Sequence, residues 1–91
     1  MQIEMSTEEI QRAIRGLSRL ALQWDSLEQS NYRDAVGYLE RDENAYYRAA
    51  VRIAQDSADN ALECRNQARS MAAQAGIPES ARFYLGIEVN A

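Results

Sequence analysis

The sequence predicts an all-α fold, a small antiparallel helical bundle in which a long alanine-rich helix packs on an N-terminal amphipathic helix. Three observations lead to this prediction. Apolar residues recur every three to four positions over two long stretches, a capping box precedes the first stretch, and Gly76-Ile77-Pro78 ends the second. The 91 residues predict a single helical domain, 1–91. Its expected helices are 7–28, 32–39, 43–75 and 78–85.

The first helix has the clearest start. Ser6-Thr7-Glu8-Glu9 reads as a capping box, in which Ser6 caps the amide of Glu9 and Glu9 reaches back to the amide of Ser6. Met5 and Ile10 occupy the two positions of a hydrophobic staple. The stripe that follows is Ile10, Ile14, Leu17, Ala21 and Trp24, widened by Ala13, Leu20 and Leu27.

Polar residues interrupt the pattern twice in the middle of the chain. Residues 29–31 predict a break, with Ser30 or Asn31 capping a short second helix over 32–39 that points Val36 and Leu39 inward. The polar run 40–44 is either a turn, with Asp42 capping the next helix, or an exposed turn of one continuous helix. We favour the break.

The long helix has small residues at its predicted core positions. One heptad position is Tyr47, Ala54, Ala61, Ala68 and Ala75, and the other is Ala50, Ser57, Cys64 and Met71. Gly76 is expected to take a left-handed conformation at its end, with Ile77 making the apolar contact that follows. An alanine seam favours close approach of another helix, and the bulk of the first helix complements it.

The C-terminal segment has two interpretations. Pro78 at a first helical position favours a short helix that ends at Gly86. The alternation of Phe83, Leu85, Ile87 and Val89 is instead typical of a strand. Such a strand would pair with the N-terminal alternation of Met1, Ile3 and Met5, or with the sheet edge of a partner.

The predicted helix lengths differ. At 1.5 Å per residue the long helix spans roughly 46 Å and the first roughly 33 Å, which leaves about two turns uncovered. Either the C-terminal segment or a second copy of the chain would cover them. A homodimer and a compact monomer of three or four helices are given equal weight.

Composition argues against catalysis and against several classes of site. The chain has no histidine and one cysteine, Cys64, so the usual zinc sites and an intrachain disulfide are excluded, and Cys64 is expected to be a small buried apolar residue. We predict no enzyme activity, no metal and no cofactor. No apolar run approaches the ~18 residues of a membrane span, and the N-terminus has no basic leader, so a cytoplasmic protein is expected.

Three surfaces are candidates for binding. A tyrosine-rich end of the bundle comprises Tyr32, Tyr38, Tyr46 and Tyr47, with Arg41, Glu43 and Arg48 at its rim. An acidic row, Asp56, Asp59 and Glu63, offers docking to a basic partner, although such a row is more often a solvated helix face. An arginine face, Arg12, Arg15 and Arg19, offers contact with nucleic-acid phosphates, although surface charge is the commoner explanation at a net charge of -4.

Two functional hypotheses follow. The first is a non-enzymatic protein-binding module, a small inhibitor or adaptor of the kind carried by phages and mobile elements, with a protein partner that has a basic surface. Tyrosine is enriched at binding hot spots, which favours the tyrosine-rich end. The alternative is a nucleic-acid-binding helical dimer that uses the arginine face of the first helix.

Overall fold

A computed structural model describes residues 6–78 of the chain, and these form two long helices. Helix α1 spans Thr7–Glu40 and helix α2 spans Asn44–Gln74. Helix α2 runs back along α1, since Tyr38 stacks on Tyr46 beside the turn while Ile14 packs against Ala68 and Ala72 at the other end. The all-α prediction is confirmed. Two helices take the place of the three predicted at 7–28, 32–39 and 43–75. The predicted helix 78–85 after Pro78, the strand alternative and residues 1–5 lie outside the described residues.

The N-terminus of α1 is the predicted cap. The Ser6 hydroxyl accepts a hydrogen bond from the Glu9 backbone amide at 3.2 Å. The Glu9 carboxylate accepts from the Ser6 hydroxyl, also at 3.2 Å, whereas the sequence predicted an acceptance from the Ser6 backbone amide. The side chains of Glu8 and Glu9 add negative charge in the first turn, where the helix dipole is positive.

The predicted break at residues 29–31 is wrong, because α1 continues through it. The Asn31 side-chain amide donates to the Leu27 carbonyl at 2.8 Å, so Asn31 bonds back to the preceding turn and does not cap a new helix. An uninterrupted helix keeps its phase, and Ala35 therefore faces α2. Val36 and Leu39, which were predicted to point inward, are 56% and 50% exposed.

The break after Glu40 is confirmed, but Asp42 does not cap α2. Asp42 has φ 58°, in the left-handed region. Its amide donates to the Leu39 carbonyl at 3.1 Å, and the Glu43 amide donates to the Tyr38 carbonyl at 2.9 Å. This pair of bonds is the Schellman motif, so Asp42 ends α1. Glu43 takes the N-cap position of α2 and makes no side-chain capping bond.

Helix α2 ends in the same motif, as the sequence predicted. Gly76 has φ 71°. Its amide donates to the Ala73 carbonyl at 3.1 Å, and the Ile77 amide donates to the Ala72 carbonyl at 2.9 Å. The Ile77 side chain packs against the buried cluster around Ile14.

Small side chains dominate the contact between the two helices. Ile14 is the one large side chain that is fully buried in the described residues. The bulkier Leu17 and Trp24 are half-buried against Ala21, Ala61 and Cys64. The buried positions of α2 are Ala50, Ala54, Ser57, Ala61, Cys64, Ala68 and Ala72. They match the predicted seam in six places, while Ala72 joins it, Tyr47 and Met71 are half-buried, and Ala75 is exposed.

The predicted overhang is absent. Helices of 34 and 31 residues are roughly 51 and 46 Å long, so nearly all of each helix faces the other. The difference between the predicted lengths of the two helices came from the predicted break at residues 29–31, which α1 does not have. Uncovered turns of α2 therefore give no reason to expect a dimer.

Candidate binding surfaces

The turn between the helices assembles an exposed aromatic and charged group, here called the tip cluster: Tyr38, Arg41, Glu43 and Tyr46. The Tyr38 and Tyr46 rings stack with centroids 5.5 Å apart and an interplanar angle of 30°. The Arg41 guanidinium lies over the Tyr38 ring, 5.3 Å from its centroid. The Arg41 Nε also donates to the Glu43 carboxylate at 3.2 Å. Tyr46 is 64% exposed, so the cluster presents a flat aromatic surface to solvent.

The backbone of the turn explains why these four side chains meet. The left-handed Asp42 reverses the chain within a few residues, which brings the last turn of α1 beside the first turn of α2. The Tyr38 carbonyl accepts hydrogen bonds from the backbone amides of both Arg41 and Glu43, at 3.2 and 2.9 Å. These two bonds fix the spacing between Arg41 and Glu43 in the turn. The stack, the cation over the ring and the ion pair then restrict the rotamers of the cluster before any partner arrives.

The remaining residues predicted for this end are not part of the cluster. Tyr47 is half-buried on the side of α2 that faces α1, and its backbone amide donates to the Glu43 carbonyl at 2.9 Å. Arg48 is exposed but lies two positions after Tyr46, which turns it to the opposite side of α2. Tyr32 is 40% exposed and lies almost two turns before Tyr38.

The acidic row is exposed on the outer side of α2. Asp56, the first of its members, follows Tyr46 by ten residues, roughly 15 Å along the helix, so the row and the tip cluster are separate surfaces. Asp59 and Glu63 flank Leu62, which is 54% exposed, and together they line a shallow depression. Leu62 was not among the residues predicted for this surface, although an apolar residue between two acids in the sequence was a signal.

The arginine face is also brought together. Arg12, Arg15 and Arg19 line one shallow depression on α1, with Glu8 and Gln11 at its edge. All three arginines are exposed, and none makes an ion pair with another of residues 6–78.

An ion pair that the sequence analysis missed joins the two helices at mid-length. The Arg65 guanidinium and the Asp25 carboxylate form a bidentate ion pair, in which Nη1 donates to Oδ1 at 3.1 Å and Nη2 donates to Oδ2. The side chains are 19% and 29% exposed. The partners are 40 residues apart in the chain, so no local pattern could have revealed the pair. We interpret it as a contact that fixes the alignment of the helices.

Large apolar side chains remain exposed along much of the hairpin. Besides Tyr32 and Tyr46, the described residues of this kind that are at least 40% exposed are Leu20, Leu22, Leu27, Val36, Leu39, Ile53 and Leu62. Leu20 and Leu27 were predicted to widen the buried stripe of α1, and their exposure corrects that prediction. Two helices enclose only one seam, so the flanking positions of a wide apolar stripe stay outside it.

Nothing among residues 6–78 forms a metal-binding group of three or more acidic, cysteine or histidine side chains. Within the same residues no helix has the length and apolar character that crossing a membrane requires. Comparison of the chain with protein-family models, with curated proteins and with solved structures found no match.

Proposed function

We propose that the protein is a non-enzymatic protein-binding module, a small inhibitor or adaptor, that contacts its partner through the tip cluster. The observation that supports this proposal is the stack of the exposed Tyr46 on the half-buried Tyr38, with Arg41 over the Tyr38 ring. Tyrosine and arginine are the residue types most enriched at binding hot spots. Their mutual contacts lower the entropy that is lost when a partner immobilises them.

The acidic row determines the kind of partner we expect. Asp56, Asp59 and Glu63 lie along the same helix as Tyr46 and carry negative charge with no cation paired to them in the described residues. A partner with a basic surface would be steered by this field, and the tip cluster would supply most of the affinity.

The test pairs a tip variant with a tyrosine control. The tagged full-length chain is used to isolate a stoichiometric partner, and the affinity of that purified partner is measured for Tyr46→Ala and for Tyr32→Ala. Loss of an exposed hot-spot tyrosine is expected to weaken binding by at least ~30-fold, which is about 2 kcal/mol. Tyr32→Ala removes an exposed tyrosine outside the cluster and is expected to change the affinity by less than about threefold.

Equal effects of the two substitutions would contradict the choice of the tip cluster. Far-UV circular dichroism of both variants provides the check on folding. Replacement of Asp59 and Glu63 by the neutral amides is expected to slow association, with little change in the dissociation rate, if these carboxylates act by steering.

Nucleic-acid binding is retained as a second candidate because Arg12, Arg15 and Arg19 share one depression and have no acidic partner within the described chain. Each phosphate contact contributes to the salt dependence of binding, so Arg15→Ala should lower the slope of log affinity against log salt by about one. Arg52→Ala, an exposed arginine on α2, is the matched control. Absence of any binding to RNA or DNA fragments at low salt would remove this candidate.

A further inference from the structure

One long face of the hairpin is apolar and almost free of charge. Residues seven apart follow one line along a helix in a packed pair. The contacts of Tyr38 with Tyr46 and with Arg41 place three such lines on one side of the molecule. Two lines belong to α1 and one to α2: Leu17, Trp24 and Tyr38; Leu20, Leu27 and Arg41; and Tyr46, Ile53 and Asn60. We call this side the neutral face. Along the three lines the charged residues are Asp34 and Arg41, both near the turn.

The opposite side of the hairpin is different. The ion pair of Asp25 and Arg65 lies there. Lines on that side carry Arg15, Arg48 and Arg69 between their apolar residues. Charge therefore distinguishes the two sides, although both expose leucine side chains.

The neutral face exposes large apolar side chains of the kind that a stable helical protein buries in its core. Leu20, Leu27 and Ile53 are 41%, 46% and 50% exposed, and Trp24, which lies between Leu20 and Leu27 along α1, is half-buried. Across the seam beneath them the buried residues are mostly alanine. A small domain rarely obtains enough stability from a single core, and an alanine core buries less apolar area than most.

We infer that the neutral face is the interface of a homodimer in which two hairpins pack face to face as a four-helix bundle. A two-fold axis sets a surface against itself, so any net charge on that surface would repel its own copy. The neutral face avoids this cost, while a partner recognised by its charge would find only Asp34 and Arg41, both near the turn, to pair with. The packed part of the face lies between the levels of Ile10 and Asn31, short of the tip cluster, so the dimer and a partner at the tip do not compete for the same residues.

The size of the face fits a dimer. Between the levels of Ile10 and Asn31, short of the tip cluster, it is roughly 32 Å long at 1.5 Å per residue. Two helices whose axes are ~8–10 Å apart make a surface about 20 Å wide. The flat footprint is then roughly 600 Å², and the area of the side-chain relief is larger, which approaches the ~800 Å² that each partner contributes to a standard interface.

The experiment measures the mass of the full-length chain in solution, with variants on both sides. Sedimentation equilibrium is expected to give twice the chain mass of 10.3 kDa. Leu27→Glu places a charge within the packed part of the neutral face and is expected to weaken the dimer by at least ~100-fold, since both copies carry the change. Leu22→Glu is the matched control, because Leu22 is 61% exposed on the same helix but on the opposite side.

The single tryptophan provides a measurement that needs no variant. Trp24 lies in the neutral face, so dilution of the wild-type chain should shift its emission to longer wavelength over the same concentration range in which the mass falls. A dimer broken by Leu22→Glu and not by Leu27→Glu would overturn the inference, because the opposite side would then be the interface.

A chain that is monomeric at all concentrations would also overturn it. In that case acrylamide quenching of Trp24 identifies the alternative. A shielded Trp24 would mean that residues of the same chain outside 6–78 cover the face, and an accessible Trp24 would leave the face to a different protein.

Discussion

Two glycines of this chain should respond in opposite directions to the same substitution. Gly16 lies in the interior of α1, and Gly76 ends α2 with φ 71°. A Cβ added at either position meets nothing within 4 Å. A steric clash therefore plays no part in either substitution, and the backbone conformation alone decides whether the free energy of unfolding rises or falls.

The expected magnitudes follow from the two conformations. Gly16→Ala should raise the free energy of unfolding by about 0.5–1 kcal/mol, because alanine restricts the unfolded chain and favours helix. Gly76→Ala should lower it by roughly 1–2 kcal/mol, because alanine is strained in the left-handed region. The two variants should thus differ by about 2 kcal/mol, although each adds one methyl group to the chain.

Urea denaturation followed by far-UV circular dichroism measures both values. All samples need one chain concentration, because an associating protein gains stability by mass action. Equal m-values would show that the unfolded states are comparable. If Gly76→Ala were neutral or stabilising, the Schellman motif would not end α2 in solution and the reasoning would be refuted.

Two further predictions concern the turn and the ion pair. Asp42→Gly should stabilise the hairpin by about 0.5–1 kcal/mol, because glycine adopts the φ of 58° seen at Asp42 without strain. Thermal unfolding measures the change in stability. The Asp42→Asn variant separates the loss of charge from the gain in backbone freedom. Asp25→Asn and Arg65→Met should each lower stability by about 1–3 kcal/mol, since each removes the charge-assisted hydrogen bonds between these two partly buried side chains. The double variant should lose less than the sum of the two, and strict additivity in that double-mutant cycle would show that the contact contributes nothing.

The ends of the helices were largely predictable from the sequence. Ser6 caps α1 and Gly76 ends α2 because capping depends on residues a few positions apart, and such bonds form whatever the rest of the chain does. The end of α1 shows the limit of this local reasoning. Asp42 was predicted to begin a helix and instead ends one, because aspartate is common both at N-caps and in the left-handed conformation.

The continuity of α1 was decided by the whole hairpin. Ser30 and Asn31 favour a break locally, but α2 runs alongside this region and Ala35 packs in the contact between the helices. Most helical stability in proteins comes from such packing, which overrides modest local propensity. The error at residues 29–31 changed the phase of everything after it, and Val36 and Leu39 were placed inside for that reason.

The sequence alone determined the helical class, the helix caps, the alanine seam and the residue types available for binding, because periodicity and composition are properties of the chain itself. The tertiary structure decided which of those residues meet. It gathers Tyr38, Arg41, Glu43 and Tyr46 at one tip, pairs Asp25 with Arg65 across 40 positions of the chain, and leaves Leu20 and Leu27 on an uncharged outer face. Each of these depends on the alignment of one helix against the other, which is set by contacts between residues far apart in sequence.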